Sequence, residues 1–181
     1  PILKNDHLVV IISQSGETAD TIAALREAKS QGVKTLAIVN VVGSTIAREA
    51  DYTLYTWAGP EIAVATTKGY TTQAVALMLL TCYLAQERGQ MSPEELAFAQ
   101  ETLLKLPEAV EKVLSDHKEV QRLAAMFFNC KDIFFIGRGI DFSLSLEGSL
   151  KLKEISYIHS EAQPAGELKH GTISLIQRSE E

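Results

Sequence analysis

A short apolar run rich in β-branched residues breaks into a polar turn and then into helical spacing, and the chain does this twice. No other feature restricts the fold as much. Leu8-Val9-Val10-Ile11-Ile12 has the pattern of a strand covered on both faces, which places it centrally in a parallel sheet. Ser13-Gln14-Ser15-Gly16-Glu17-Thr18 follows as a turn, and Ile22, Leu25, Ala28 and Lys29 run at helical spacing to Gly32, a natural helix stop. Thr35 to Val39 reads as a second strand, Ser44 to Ala50 as a short helix capped by Ser44, and Tyr52 to Thr56 as a third strand. Residues 67 to 128 are mostly helical, with Ser92-Pro93-Glu94-Glu95 as a capped start, and the charges over 94 to 122 are solvated helix faces. The pattern then resets. Ile133-Phe134-Phe135-Ile136 is a buried strand, Gly137-Arg138-Gly139 a turn and Ser143 to Ile158 a helix. A polar loop, His159 to Gly171, leads to Thr172-Ile173-Ser174-Leu175-Ile176 as a strand. This alternation predicts an α/β protein with two related units joined by helices. Each unit has fewer strands than the usual five or six. The expected divisions are 1–90, a helical connector over 91–122, and 123–181.

Composition narrows the function classes. With 46% hydrophobic and 22% charged residues in 181, the chain can bury a core. Lys plus Arg total 17 against 23 for Asp plus Glu, a net charge of -6, which argues against a general binder of nucleic acid or anionic membrane. The longest nearly apolar run, Ala74 to Ala85, is interrupted by Thr81 and falls short of the roughly 20 residues of a membrane span. No secretory signal is visible. Cys82 and Cys130 lie among apolar neighbours, the setting of buried free thiols in a reducing, cytoplasmic compartment.

Three places carry chemistry. Ser13, Gln14, Ser15 and Thr18 offer three hydroxyls and one amide beside the unpaired N–H groups of a helix start. They form either a phosphate cradle or an ordinary turn whose hydroxyls only cap the helix. It is not a Walker A loop, and Gly137-Arg138-Gly139 lacks the third glycine of a dinucleotide fingerprint, so no nucleotide cofactor is expected. Glu147, Lys151 and Glu154 sit at i, i+4 and i+7, within about 60° of arc on one helix face. Leu144, Leu146, Leu150, Leu152, Ile155 and Ile158 cover so much of the rest that this helix is expected to be buried nearly all round. The stripe is then either a structural network or a carboxylate tuned for proton transfer. His170 lies in a loop where a side chain can meet a ligand or simply face solvent. His7, His117 and His159 have no partners at metal-ligand spacing, so no metal site is expected.

Ser13-Gln14-Ser15-Gly16-Glu17-Thr18-Ala19-Asp20-Thr21 resembles the phosphate-binding motif of SIS (sugar isomerase) domains. Ala65-Thr66-Thr67-Lys68-Gly69-Tyr70-Thr71-Thr72-Gln73, the stretch from Leu146 to His159, and Gly166-Glu167-Leu168-Lys169-His170-Gly171 narrow this. They are similar to the isomerase region of the glutamine-dependent fructose-6-phosphate aminotransferases, the glucosamine-6-phosphate synthase family. The resemblance implies a three-layer αβα sandwich around a parallel sheet. It implies that Ser13, Gln14, Ser15 and Thr18 hold the phosphate of fructose 6-phosphate or glucosamine 6-phosphate, and that Val64 contacts the sugar through its backbone. It further implies that Glu154 moves a proton between C1 and C2 of the open-chain imine, with Lys151 beside it. His170 helps to open the sugar ring from the neighbouring subunit of a homodimer, and Glu147 is a structural or relay carboxylate. No cofactor follows from the resemblance.

Set against that family, the chain lacks the N-terminal glutaminase domain with its Cys nucleophile and a first strand with a Gly-Thr-Ser turn. It also lacks the tail after Ile176 with a Schiff-base lysine. The expectation is a piece of a longer enzyme of amino-sugar synthesis that alone binds sugar phosphate weakly and turns over little or nothing. Two alternatives stand beside it: another SIS phosphosugar isomerase or deglycase, and a phosphosugar sensor without chemistry, which would need the cradle but not Glu154.

Overall fold

The computed structural model describes residues 2–176, which divide into two compact units meeting at Glu111 and Lys112. In the first unit, β1 (Leu8–Ser13), β2 (Lys34–Val39) and β3 (Tyr52–Tyr55) form a wholly parallel sheet in the order β1-β2-β3. Helices α1 (Ala19–Ser30) and α2 (Thr45–Glu49) make the crossovers, as parallel pairing demands. The register sets Ser13 beside Val39 and Val39 beside Tyr55, so all three strands end at one edge of the sheet. The core is built from Ile11, Leu25, Ala37, Val39 and Ile46, with Val9, Ile22 and Tyr55 packed around it.

Cover on both faces, expected for β1, belongs instead to β2. Ala37 and Val39 enter the α1/α2 core while Ile38, on the opposite face, is also fully buried where α3 (Lys68–Glu87) lies against β2. In β1, at the edge of this sheet, Ile11 is 5% exposed but Val10 and Ile12 are 37% and 40% exposed. An unbroken apolar run reports strand propensity; it does not count the layers above and below.

The helical stretch agrees with its apolar spacing: α3 is followed by α4 (Pro93–Leu104), α5 (Leu106–Leu114) and α6 (His117–Phe127). Ser92 closes a capping box on α4, its Oγ accepting from the Glu95 N–H at 3.2 Å while its own N–H donates to Glu95 Oε2 at 2.8 Å. Among the described residues no helix is long and apolar enough to cross a membrane.

In the second unit β4 (Asp132–Gly137) and β5 (His159–Pro164) pair in parallel across α7 (Ile140–Ser156). Three departures from expectation occur here. The polar segment His159–Pro164 is a strand, not a loop, because Ser160 substitutes a hydroxyl bond for apolar burial. Its Oγ lies 2.9 Å from Ser149 Oγ on α7, and both serines are buried. Thr172–Leu175 is a short 3-10 helix, not a strand. Its apolar residues end a loop whose Ala165 N–H already bonds the Gly137 carbonyl, and β5 pairs with β4 in its place. Finally, α7 buries only Ser149 completely, while Leu144, Leu146, Leu150 and Ile155 are exposed, since a two-stranded sheet covers a single stripe of a helix. Cys82 is half-buried and Cys130, in the turn after α6, is exposed; both are free, so the core reading of Cys130 fails.

Gly137 and Gly148 let α7 settle on β4. A Cβ on Gly137 would lie 2.3 Å from the Asp141 carbonyl carbon, and one on Gly148 would lie 3.0 Å from the Phe135 ring.

In the first unit, Asp51 locks the start of β2 to the start of β3. Its carboxylate accepts from Thr35 N–H at 3.0 Å, Thr35 Oγ1–H at 2.8 Å and Lys34 Nζ at 3.1 Å. The Thr35 hydroxyl beside it, ahead of Lys34, holds the Asp51 carboxyl down at about 2 from 3.8. Because the folded value is depressed, this stabilisation is present above the unfolded value and is lost as pH falls toward about 2. Asp51→Asn is expected to lower the thermal midpoint near neutral pH, and the gap from the unsubstituted chain should close between about pH 4 and pH 2. Thermal melts of both proteins across that range check it.

Candidate functional site

Parallel register delivers three loops to one edge of the sheet, the end where open α/β sheets hold ligands. The first loop, Gln14 to Thr18, shows what its hydroxyls do. Ser13 Oγ accepts from the Gly16 N–H at 3.0 Å and lies 3.3 Å from Thr18 Oγ1. Ser15 Oγ accepts from the Glu17 N–H at 3.2 Å. Thr18 occupies the N-cap of α1, yet its side chain makes no cap bond. Capping is therefore not the role of these hydroxyls. Ser15 Oγ still carries a hydrogen to donate outward, as does whichever of Ser13 and Thr18 accepts in their pair, and the first amides of α1 keep their positive end toward the same loop. That arrangement suits an anion.

The second and third loops are stitched to the first. The Gln14 carbonyl accepts from the Asn40 N–H at 3.1 Å, and Asn40 Oδ1 accepts from Ala58 N–H at 2.8 Å and Thr56 Oγ1 at 3.2 Å. Asn40 Nδ2 donates to the Gly59 carbonyl at 2.8 Å. At the start of α3, Gly69 approaches Gln14 so closely that a Cβ there would lie 3.1 Å from Gln14 Cγ. The Gly69 N–H donates to Glu61 Oε2 at 3.3 Å. Val64 stands in this third loop with its side chain 92% exposed and its carbonyl accepting from the Thr66 N–H at 3.0 Å.

Ser44, expected to cap α2, sits at the N-cap but its side chain bonds nothing: its Oγ is buried and without a partner. Glu17 performs the cap instead, its Oε1 accepting from the Thr45 N–H at 2.7 Å, which holds the Glu17 carboxyl below its ordinary range. A cap supplied from 28 positions away leaves no local signature. Sequence reasoning missed Asn40, Glu17, Ser44 and Glu61; the polar Asn40 directly after β2, like Gln14 directly after β1, was the one available signal.

In the second unit the stripe on α7 is an ion triad. Lys151 Nζ donates to Glu154 Oε2 at 2.6 Å and lies 3.6 Å from Glu147 Oε1. Its side chain is 19% exposed, against 29% for Glu154. The Glu154 carboxylate, ahead of Glu147, raises the Lys151 ammonium above its ordinary value, so it stays charged through neutral pH. His170 is exposed, with Nδ1 2.8 Å from Glu167 Oε2. Among the described residues it bonds neither Lys151 nor Glu154. The structure thus gathers Ser13, Gln14, Ser15 and Thr18 in one unit, and Glu147, Lys151 and Glu154 on one face in the other.

A parallel sheet with crossover helices and a hydroxyl-lined loop at its carboxyl edge defines an open α/β domain. The SIS domain family model matches residues 1–83 and 126–180, and the chain belongs to that family. Over 177 residues it is 59% identical to the glutamine--fructose-6-phosphate aminotransferase [isomerizing] of Clostridium tetani, a match that covers 98% of this chain and 29% of that protein. The C-terminal domain of glucosamine-fructose-6-phosphate aminotransferase from Francisella tularensis superposes with a TM-score of 0.94 at 42% identity, covering 98% of this chain and 50% of that one. A glucosamine-6-phosphate deaminase from Thermotoga maritima gives 0.68 at 26% identity, covering 98% and 52%. The chain spans under a third of the length of the curated relatives it matches.

Gly16 has φ +67°, and a Cβ there would lie 2.1 Å from Ser44 Oγ. Gly16→Ala is expected to destabilise the chain by about 2 kcal/mol, from left-handed strain plus the clash. Adding Ser44→Gly should recover part of that loss and not all of it, as urea denaturation of the three variants would show.

Proposed function

We propose that this chain forms the sugar-phosphate isomerase part of a glutamine–fructose-6-phosphate aminotransferase. The parent enzyme turns fructose 6-phosphate and glutamine-derived ammonia into glucosamine 6-phosphate. The observation that carries the reading is the 59% identity over 177 residues, a span that includes the cradle, Val64, the α7 triad and His170.

In this reading Ser13, Gln14, Ser15 and Thr18 hold the substrate phosphate, Ser15 and one hydroxyl of the Ser13–Thr18 pair donating their free hydrogens and Gln14 its amide, while the backbone of Val64 contacts the sugar. His170 assists ring opening: with Nδ1–H given to Glu167, Nε2 carries the free lone pair for the proton. Glu154 takes the proton from C1 of the C2=N imine, and the C1–H pair forms C1=C2 while the C=N pair passes to nitrogen, which takes up a proton. Return of the proton to C2 with loss of the C1 hydroxyl proton leaves the C1 aldehyde and the C2 amine. Lys151, held charged between two carboxylates, stabilises negative charge as it develops and keeps Glu154 aimed. Glu147 anchors Lys151 from the other side. The reading assigns neither the ammonia source nor the amine that first condenses with the ketone to these 181 residues.

The same reading makes the enzyme cytoplasmic and a homodimer in which His170 serves the neighbouring subunit's site. It divides the chain at 1–90, 91–122 and 123–181. The cradle alone would serve a sensor; the closely paired Lys151 and Glu154 favour an enzyme.

Calorimetric titration of the chain with fructose 6-phosphate and with inorganic phosphate tests the cradle. The sugar phosphate should bind more tightly, and Ser15→Ala should weaken it about tenfold, the loss of one charge-assisted hydrogen bond. In the full-length protein, Glu154→Gln should cut solvent-deuterium incorporation into the sugar by at least about 100-fold while affinity stays within about threefold. Undiminished exchange would remove Glu154 as the base.

A further inference from the structure

We infer that Glu17 and Ser44 are positioning residues for the phosphate cradle, which would make the second loop, Asn40 to Ile46, the template that shapes the first. The inference rests on the cradle reading above and deepens it. Four features converge between the two loops. The Asn40 N–H holds the Gln14 carbonyl at 3.1 Å and the Ile46 N–H holds the Gly16 carbonyl at 3.0 Å. The Glu17 carboxylate holds the Thr45 N–H at 2.7 Å. The Ser44 side chain, 3% exposed and with an unpartnered hydroxyl, fills the place where a Cβ on Gly16 would stand.

Gln14 and Gly16 are thus fixed through their carbonyls, and Glu17 through its carboxylate, on the side of the second loop. The Gly16 and Glu17 N–H groups are taken by Ser13 Oγ and Ser15 Oγ, and the Ser15 hydroxyl hydrogen remains to donate to a ligand. The buried Ser44 hydroxyl makes no bond of its own, so the position is occupied for its size: Ser44 is a stop against which Gly16 rests.

Glu17 gives the inference a sign that can be read. A carboxylate one residue from Gly16 repels a bound phosphate, so if it did nothing else its removal would tighten binding. As a positioning group its removal loosens Gly16 and the neighbouring donors and weakens binding.

The test titrates the 181-residue chain with inorganic phosphate and with fructose 6-phosphate, following backbone amide shifts, for the unsubstituted protein, Glu17→Ala, Glu17→Gln and Ser44→Val, with thermal midpoints for each. Expected are a fivefold to tenfold loss for Glu17→Ala, roughly the effect of one misplaced charge-assisted bond, equal for both ligands. Recovery to within about twofold is expected in Glu17→Gln, whose side-chain oxygen still accepts from Thr45. Ser44→Val, a larger stop with no charge change, should weaken both ligands similarly and shift the Gly16 amide. Tighter or unchanged binding in Glu17→Ala overturns the positioning role while leaving the cradle intact, and so does a loss that Glu17→Gln fails to restore. If Glu17→Ala does not fold, Ser44→Val decides, unchanged binding there overturning the inference. No binding by the unsubstituted folded chain overturns the cradle reading itself and the inference with it.

Discussion

Parallel pairing of β1, β2 and β3 in one register is the constraint on which the candidate site depends. Because Ser13, Val39 and Tyr55 stand side by side, the chain must leave the sheet three times at the same edge, and the three loops have to coexist there. Asn40 resolves that crowding. Its backbone binds the first loop and its amide binds the third, so one residue directly after the central strand joins all three. Hydroxyl donors on the first loop can then face outward without a folding cost, since their backbone neighbours are already satisfied.

The second unit solves a different problem with the same motif. Two parallel strands and a crossover helix give little apolar cover, and the unit compensates by close approach. Gly137 and Gly148 bring α7 down onto β4, and the Ser149–Ser160 hydroxyl pair closes the contact with β5. That fixes the rotation of α7 about its own axis, and thereby which residues form its charged stripe. Glu147, Lys151 and Glu154 fall together, partly covered, with the ammonium shared between two carboxylates. Such a triad costs desolvation, which the ammonium shared between the two carboxylates offsets.

Much of this was legible in the sequence. The helical stretch, the capping box at Ser92, the strand–turn–helix units and the i, i+4, i+7 stripe all follow from local patterning, and the structure agrees with each. What failed did so for identifiable reasons. β5 is polar because its burial rests on a hydroxyl bond, which hydropathy does not register. Thr172–Ile176 is apolar enough for a strand, but whether a strand forms depends on an available partner. Leucines on α7 predicted a helix buried all round, yet burial is a property of what lies against a helix, and two strands leave most of those side chains exposed.

By itself, then, the sequence determined the parallel α/β class, the position of the polar turn after β1 and the residues of the charged stripe on α7, because each is written in spacings of a few residues. Only the tertiary structure decided how the turn is held. Glu17 caps a helix 28 positions away in place of Ser44, Asn40 joins Gln14, 26 residues before it, to Gly59, 19 residues after it, and Ser44 becomes a buried stop against Gly16. These are contacts between segments whose proximity exists only once the strands have paired. No local pattern can encode them, because the hydrogen-bond partner lies in a different loop and its distance is set by the register of the sheet.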